Sequence, residues 1–234
     1  MNIGILSSKD DLLLSYYVKK LKKNNNYKIF IFYAHKDKKK VLKDNHIFKD
    51  RTKNYFKKDF FNISKIKKFY FKSHNSVNFK KKLKFLKIDY LFNSGTPNKI
   101  NLEIIKSVQG IINIHPGILP DYRGSTCVEW ALYNNDPVGI SAHLMTEKYD
   151  TGPIISKKFL NLKNSRKYED IRIKVYLESI NQIINVLKIL KRGNIKSSYI
   201  SKNKIYKVIS DKKLNEIKKL LNKNKYKFHK KNLN

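Results

Sequence analysis

Cysteine occurs once in the 234 residues, as Cys127. No disulfide can form within the chain and no cysteine cage can hold zinc, and a reducing compartment is the natural setting; no metal is expected. Arginine is also scarce. Of the 52 basic side chains only Arg51, Arg123, Arg166, Arg172 and Arg192 are arginines, which leaves 47 lysines against 18 carboxylates. Two-point recognition of phosphates and base edges recruits arginine. A net charge of +34 built on lysine therefore argues for a solvated surface more than for a nucleic-acid footprint. No apolar run approaches the ~20 residues of a membrane span. The N-terminus has no basic stretch leading into an apolar one, as a secretory leader would. These absences point to a soluble, cytoplasmic protein.

What is present is unevenly spread. Hydrophobic residues make up 41% of the chain, enough for a sizeable core. Residues 88–160 hold five Lys and one Arg against seven Asp and Glu, a net of −1, whereas 36–87 carry 18 lysines and 202–231 carry 12. All five prolines lie between Pro97 and Pro153, and six of the eight glycines lie between Gly95 and Gly152. The near-neutral segment is therefore also the one whose backbone is most constrained. Loops that hold a shape are where binding and catalytic groups sit.

Apolar periodicity predicts alternating strands and helices. Strands are expected at 2–6, 27–34, 68–72, 88–94, 110–115, 138–145 and 153–160. Helices are expected from Asp10 or Asp11, as cap, to about Lys23, and near 37–44, 76–87, 98–108 (closed by Gly110) and 127–134. The last of these has capping-box spacing at Thr126 and Glu129. A long helix should start at Ser165, bury Ile173, Leu177, Ile180, Ile184 and Leu187, and stop at Gly193. A short hairpin and a lysine-rich helix near 211–223 follow. The pattern is α/β: a Rossmann-like, mostly parallel sheet with helices on both faces. Residues 1–195 would form the catalytic domain and 196–234 a short basic C-terminal appendage.

In such sheets ligands bind beyond the carboxyl ends of the strands. "GIINIH" ends there, and residues two apart on a strand share a face, so Asn113 and His115 would reach one pocket. An amide donor beside an imidazole suits stabilising an oxyanion and moving a proton. A hydrogen-bonded structural histidine would look the same at this stage. In "YDTGPII", Asp150 stands before a turn and a strand, where it either orients an imidazole or caps its own turn.

Taken together, "INIHPGILPDYRG", "SAHLM" and "YDTGPII" resemble the folate-dependent formyltransferases. His115 and Asp150 stand 35 residues apart and His143 precedes Asp150 by seven, as in that family's pattern. The likeness is clear over about 88–160 and weak across 36–87 and after about 195. It implies transfer of a formyl group from 10-formyltetrahydrofolate to a primary amine by a one-carbon transferase. Asn113 and His115 would stabilise the charged acyl oxygen, and Asp150 would hold His115 and help relay the proton. The pterin would lie against Ser94, Gly95, Thr96 and Ile100 and against the segment from His143 to Asp150. His143 could equally be a core histidine.

The acceptor separates the branches of that family. Glycinamide ribonucleotide enzymes carry a glycine-rich phosphate loop after the first strand, where this chain reads "SSKDDLL". Methionyl-tRNA enzymes carry a C-terminal barrel, for which the residues after Asp150 are too few, although the basic tail fits a minimal tRNA binder. The resemblance therefore favours an amino sugar linked to a nucleotide, with Arg123 either contacting its diphosphate or pairing with Asp121 or Asp136. A homodimer is compatible with this reading, and neither a membrane nor nucleic acid is the expected partner. The alternatives are a tRNA or ribonucleotide acceptor, a hydrolase that deformylates the folate, or an inactive, basic nucleic-acid-binding protein on this scaffold.

Overall fold

The computed structural model describes residues 1–36, 39, 47–57, 59, 63–163, 165–193, 195 and 204–229. Seven strands form one sheet in the order β3-β2-β1-β4-β5-β7-β8: β1 (Asn2–Ser7), β2 (Lys28–Ala34), β3 (Lys67–Phe71), β4 (Tyr90–Asn93), β5 (Gly110–His115), β7 (Gly139–Leu144) and β8 (Ile154–Phe159). Two-residue strands β6 (Arg123–Gly124) and β9 (Ile205–Tyr206) pair with each other in parallel. Among the described residues the helices include α1 (Leu14–Lys22), α2 (Val77–Phe85), α3 (Leu102–Ile105), α4 (Cys127–Tyr133), α5 (Tyr168–Lys191) and α6 (Asp211–Asn222). This is the expected mostly parallel α/β architecture. The chain divides into two compact units: Met1–Asp50, Asn54–Asn113 and Leu144–Glu147 form the first, and the rest forms the second.

In the first unit β1 and β2 are legible because they are buried on both faces. β1 and β2 read as near-continuous apolar runs, as parallel strands covered by helices must. β1 pairs in parallel with both β2 and β4. The chain reverses its strand order there, so the carboxyl ends of β1 and β4 form the switch point at which such sheets bind ligands. Ser76 caps α2 by accepting from the Phe79 N–H at 3.3 Å. That helix buries Phe79 and Leu83 into a core with Leu6, Phe32 and Leu91, each such side chain contributing about 1.5–3 kcal/mol. Its lysines line the other face.

Two expectations fail here. Neither Asp10 nor Asp11 caps α1: its cap position is Leu13, and Asp11 Oδ1 accepts from the Leu13 N–H at 2.9 Å in a turn before the helix. The helix expected at 98–108 shrinks to α3. The Asn75 side chain donates to the Lys99 carbonyl and accepts from the Asn101 N–H at 2.9 Å, and Asn101 itself is extended. Asn101 then caps by accepting from the Ile104 N–H. Gly110 opens β5 instead of closing a helix. The helix expected near 37–44 lies, apart from residue 39, outside the described residues.

The second unit contains the antiparallel β7–β8 pair and helices α4, α5 and α6. The stripe on α5 is rotated from its expected place: Ile180 and Leu187 are buried, Ile173, Leu177 and Ile184 only half so, and Arg172 faces inward with Ile171 and Val175. Gly193, with φ 70°, lies just past its end. The capping box at Thr126 and Glu129 does not form, since Thr126 has φ 50° and makes no side-chain cap. Its hydroxyl instead accepts from the Ile209 N–H at 2.9 Å. Glu129, fully buried, is drawn to Arg51 at 3.4 Å and Arg172 at 3.6 Å. Among the described residues β9 pairs with β6 and not in a hairpin; 196–203 lie outside them. The lysine-rich stretch at 211–222 is an amphipathic helix that buries Ile217 and Leu221, with Lys213 Nζ 4.5 Å from the ring centres of Trp130 and Tyr133. No helix among the described residues is long and apolar enough to cross a membrane.

Candidate active site

His115 closes β5, and the loop after it folds back onto the imidazole. Nε2 lies 2.8 Å from the Tyr122 carbonyl oxygen. A carbonyl can only accept, so Nε2 carries a hydrogen and the neutral ring has its lone pair on Nδ1. Gly117 is required at this turn: a Cβ there would stand 2.8 Å from Nε2 and 2.7 Å from the Tyr122 oxygen. Nδ1 faces Asp150, whose Oδ1 is 3.5 Å away.

Asp150 is held from several sides. It adopts φ 52° in the turn before β8, and its Oδ2 accepts from the Gly124 N–H at 2.9 Å. Next to it, the Tyr149 carbonyl accepts from Arg123 Nη2 at 3.0 Å. The short β6 strand thus fastens the acidic turn by both backbone and side chain. Neither Asp121 nor Asp136 takes Arg123 in these contacts; Asp136 accepts from the Tyr122 hydroxyl at 2.7 Å. His143 joins the same group, with Nε2 3.6 Å from Asp150 Oδ1. A register shift between Ala142 and His143 on β7 accompanies this placement, as bulges beside sites re-aim side chains. Asp150 Oδ1 therefore lies between two buried imidazoles. One backbone-held carboxylate facing two imidazoles is an arrangement for holding and passing a proton. Burial, with Asp150 and Glu129 nearby, pushes the Cys127 thiol up to about 12; it stays protonated and is no nucleophile at neutral pH.

In the first unit, the carboxyl ends of β1 and β4 hold a second polar group. Asp11 Oδ2 accepts from the hydroxyls of Ser7, at 2.9 Å, and Ser94. Asn113 Oδ1 accepts from Asn93 Nδ2 at 3.1 Å. Asn93 Oδ1 accepts from the Thr96 N–H at 3.0 Å, and the Thr96 hydroxyl is 2.9 Å from His74 Nδ1. Ser94, Gly95 and Thr96 thus form an ordered turn beside Asn113, whereas the Ile100 side chain is committed to the core. Asn113 and His115 stand two apart on β5.

His74 carries no signal in the sequence, being a histidine in a lysine-rich stretch. It is 1% exposed, and its Nε2–H is bonded to the Phe32 carbonyl at 2.9 Å. Burial lowers it from 6.5 to about 4, against the raising effect of the Phe32 bond. The folded state resists protonating His74 while the unfolded chain does not. Its contribution is complete above about pH 6.5 and is lost as pH falls towards 4. We expect His74→Gln to remove about 3 kcal/mol of the acid sensitivity of unfolding between pH 7 and 4. Urea midpoints at several pH values would check this. Parallel pH profiles for the two proteins would refute it.

Known proteins resemble this chain in sequence and in fold. Residues 1–187 match the sequence profile of the family described as formyl transferase. Methionyl-tRNA formyltransferase of Thermodesulfovibrio yellowstonii is 32% identical over 123 residues, covering 50% of this chain and 39% of the relative. The chain thus matches well under half of that relative's length. Among solved structures, a sugar N-formyltransferase from Shewanella superposes with TM-score 0.63 at 19% identity, over 90% of this chain and 78% of the other. Glycinamide ribonucleotide transformylase 1 from Symbiobacterium toebii gives 0.61 at 16% identity, over 82% and 88%. With its match covering most of the sequence, the chain belongs to the formyl transferase family.

Proposed function

We propose that the protein transfers a formyl group from 10-formyltetrahydrofolate to the amino group of a nucleotide-linked amino sugar. The observation that carries the reading is the pairing of His115 Nδ1 with an Asp150 carboxylate that is itself held by the Gly124 N–H. An amine attacking an acyl carbon must lose a proton, and the acyl oxygen gains negative charge as it does so. In this reading Asn113 donates to that oxygen. His115, its Nε2–H taken by the Tyr122 carbonyl, exchanges protons at Nδ1. Asp150 orients His115 and stabilises its charged form during transfer. Arg123 keeps the Asp150 turn in place. The folate supplies the activated formyl group when bound. The turn of Ser94, Gly95 and Thr96 would hold it through backbone carbonyls, since the Ser94 and Thr96 hydroxyls are engaged by Asp11 and His74 and the three backbone N–H groups by the Leu6 carbonyl and Asn93.

Two features support a sugar nucleotide as acceptor. Asp11 sets a carboxylate at the end of β1, where a phosphoribosyl acceptor would call for a cradle of backbone amides. The segment with the candidate catalytic residues is almost neutral, whereas tRNA binding needs a broad basic face. The second reading, methionyl-tRNA, has the 32% identity to a methionyl-tRNA formyltransferase in its favour. Incubating the protein with 10-formyltetrahydrofolate and each acceptor class at physiological salt separates them by mass spectrometry. A formyl increment greatest on an amino-sugar nucleotide is expected. Faster formylation of methionyl-tRNA than of every sugar nucleotide would overturn the assignment.

A further inference from the structure

Which end of an asparagine side chain is oxygen and which nitrogen follows from its partners. Within the first unit those partners form a chain whose direction is set at its far end. The Thr96 backbone N–H, which can only donate, lies 3.0 Å from one terminal atom of Asn93, so that atom is Oδ1. The other end of Asn93 is then its NH2 group. It lies 3.1 Å from Asn113, and the atom it meets there must be an acceptor, Oδ1. The Asn113 amide is thereby committed to presenting its N–H groups at the opposite end. Thr96 is in turn held: its hydroxyl is 2.9 Å from His74 Nδ1, and the buried His74 ring is anchored through Nε2–H on the Phe32 carbonyl. Asn93 ends β4 and Asn113 lies on the paired strand β5, so the contact is fixed by sheet register.

We propose that Asn93 is a positioning residue for the transfer reaction: it sets which end of the Asn113 amide carries the donors, with Thr96 and His74 holding Asn93 in place. This rests on the formyl-transfer reading. A developing negative charge on an acyl oxygen needs N–H groups; a flipped Asn113 would offer it a carbonyl oxygen and repel it. Orientation of one amide therefore separates an active from an inactive site with no change in shape or net charge.

Asn93→Asp tests this. The variant keeps the oxygen that accepts from Thr96 but sets a second acceptor against Asn113 Oδ1, which drives that amide to turn over. The expected result is a fall in kcat of about 100-fold, the scale of a lost oxyanion donor, with KM changed by less than about three-fold. In an Asn113→Ala background the same substitution should cost less than about three-fold more, because both act through one amide. The Asn113 side-chain amide signals of isotope-labelled protein should shift in two-dimensional NMR. Should Asn93→Asp not fold, Asn93→Ser takes its place; serine is too short to bond both partners at once, and about a ten-fold loss is expected. Unshifted Asn113 signals with kcat within a few-fold of the original would overturn the inference, as would effects that multiply in the double variant. A protein that formylates no acceptor refutes the formyl-transfer reading instead, and the NMR comparison still decides how Asn113 is held.

Discussion

His115→Ala and Asp150→Asn should each lower formyl-transfer turnover by about 100-fold or more while leaving the fold and KM nearly unchanged. That is the usual scale for loss of a group that moves or orients a proton at the reacting centre. The two substitutions fail for different reasons. Alanine at 115 deletes the imidazole proposed to exchange protons at Nδ1. Asparagine at 150 keeps the size and one oxygen for the Gly124 N–H but removes the negative charge 3.5 Å from that nitrogen. The double variant should lose far less than the product of the single effects, because a carboxylate that acts through His115 has nothing to orient once His115 is gone. Steady-state kinetics on the best acceptor measure all three. Turnover within a few-fold of the original in either single variant, with the protein folded, would remove that residue from the mechanism.

The largest effect on stability should come from Arg172. Glu129 is fully buried and holds Arg172 at 3.6 Å, Arg51 at 3.4 Å and the Tyr168 hydroxyl at 2.5 Å. Burial alone would raise the Glu129 carboxyl, but the two guanidinium groups overcome this and hold it below the usual range. Arg172→Ala leaves that carboxylate with the Tyr168 hydroxyl and one partly exposed cation, Arg51. Breaking such a pair costs about 3–5 kcal/mol, or roughly 10 °C in thermal midpoint for a chain of this size. Replacing both partners, as Arg172→Met with Glu129→Gln, should recover part of the loss, because no buried charge then stands uncompensated. Since the folded carboxyl is depressed, its contribution is present above the unfolded value near 4.5 and disappears as pH falls through the lower folded one. An Arg172→Ala variant that melts within about 2 °C of the original would show that the cluster is not structural.

The parts of this molecule legible in the sequence are those fixed by short-range pattern. Strands β1, β2 and β5 are runs of apolar residues, and α5 and α6 are periodic over many turns. The His115, His143 and Asp150 segments carry their own spacing, and the structure brings those three side chains together. Where local signals misled, a distant residue had claimed the side chain. Asp11 stands where a helix cap would, yet it binds Ser7 and Ser94. Glu129 has the spacing of a capping box, yet it turns to arginines 78 and 43 positions away, as 129 − 51 and 172 − 129 show. Asn93 and His74 gave no signal, because their meaning depends on strand pairing and on which backbone N–H or carbonyl lies opposite.

The most direct test of the account is transfer of an isotopically labelled formyl group from 10-formyltetrahydrofolate, followed in the intact protein and in His115→Ala. Label should appear on the amine of an amino-sugar nucleotide with the intact protein, and the variant should transfer it about 100-fold more slowly or worse. Label that never leaves the folate with any amine, or that moves equally fast with and without the imidazole, would contradict it.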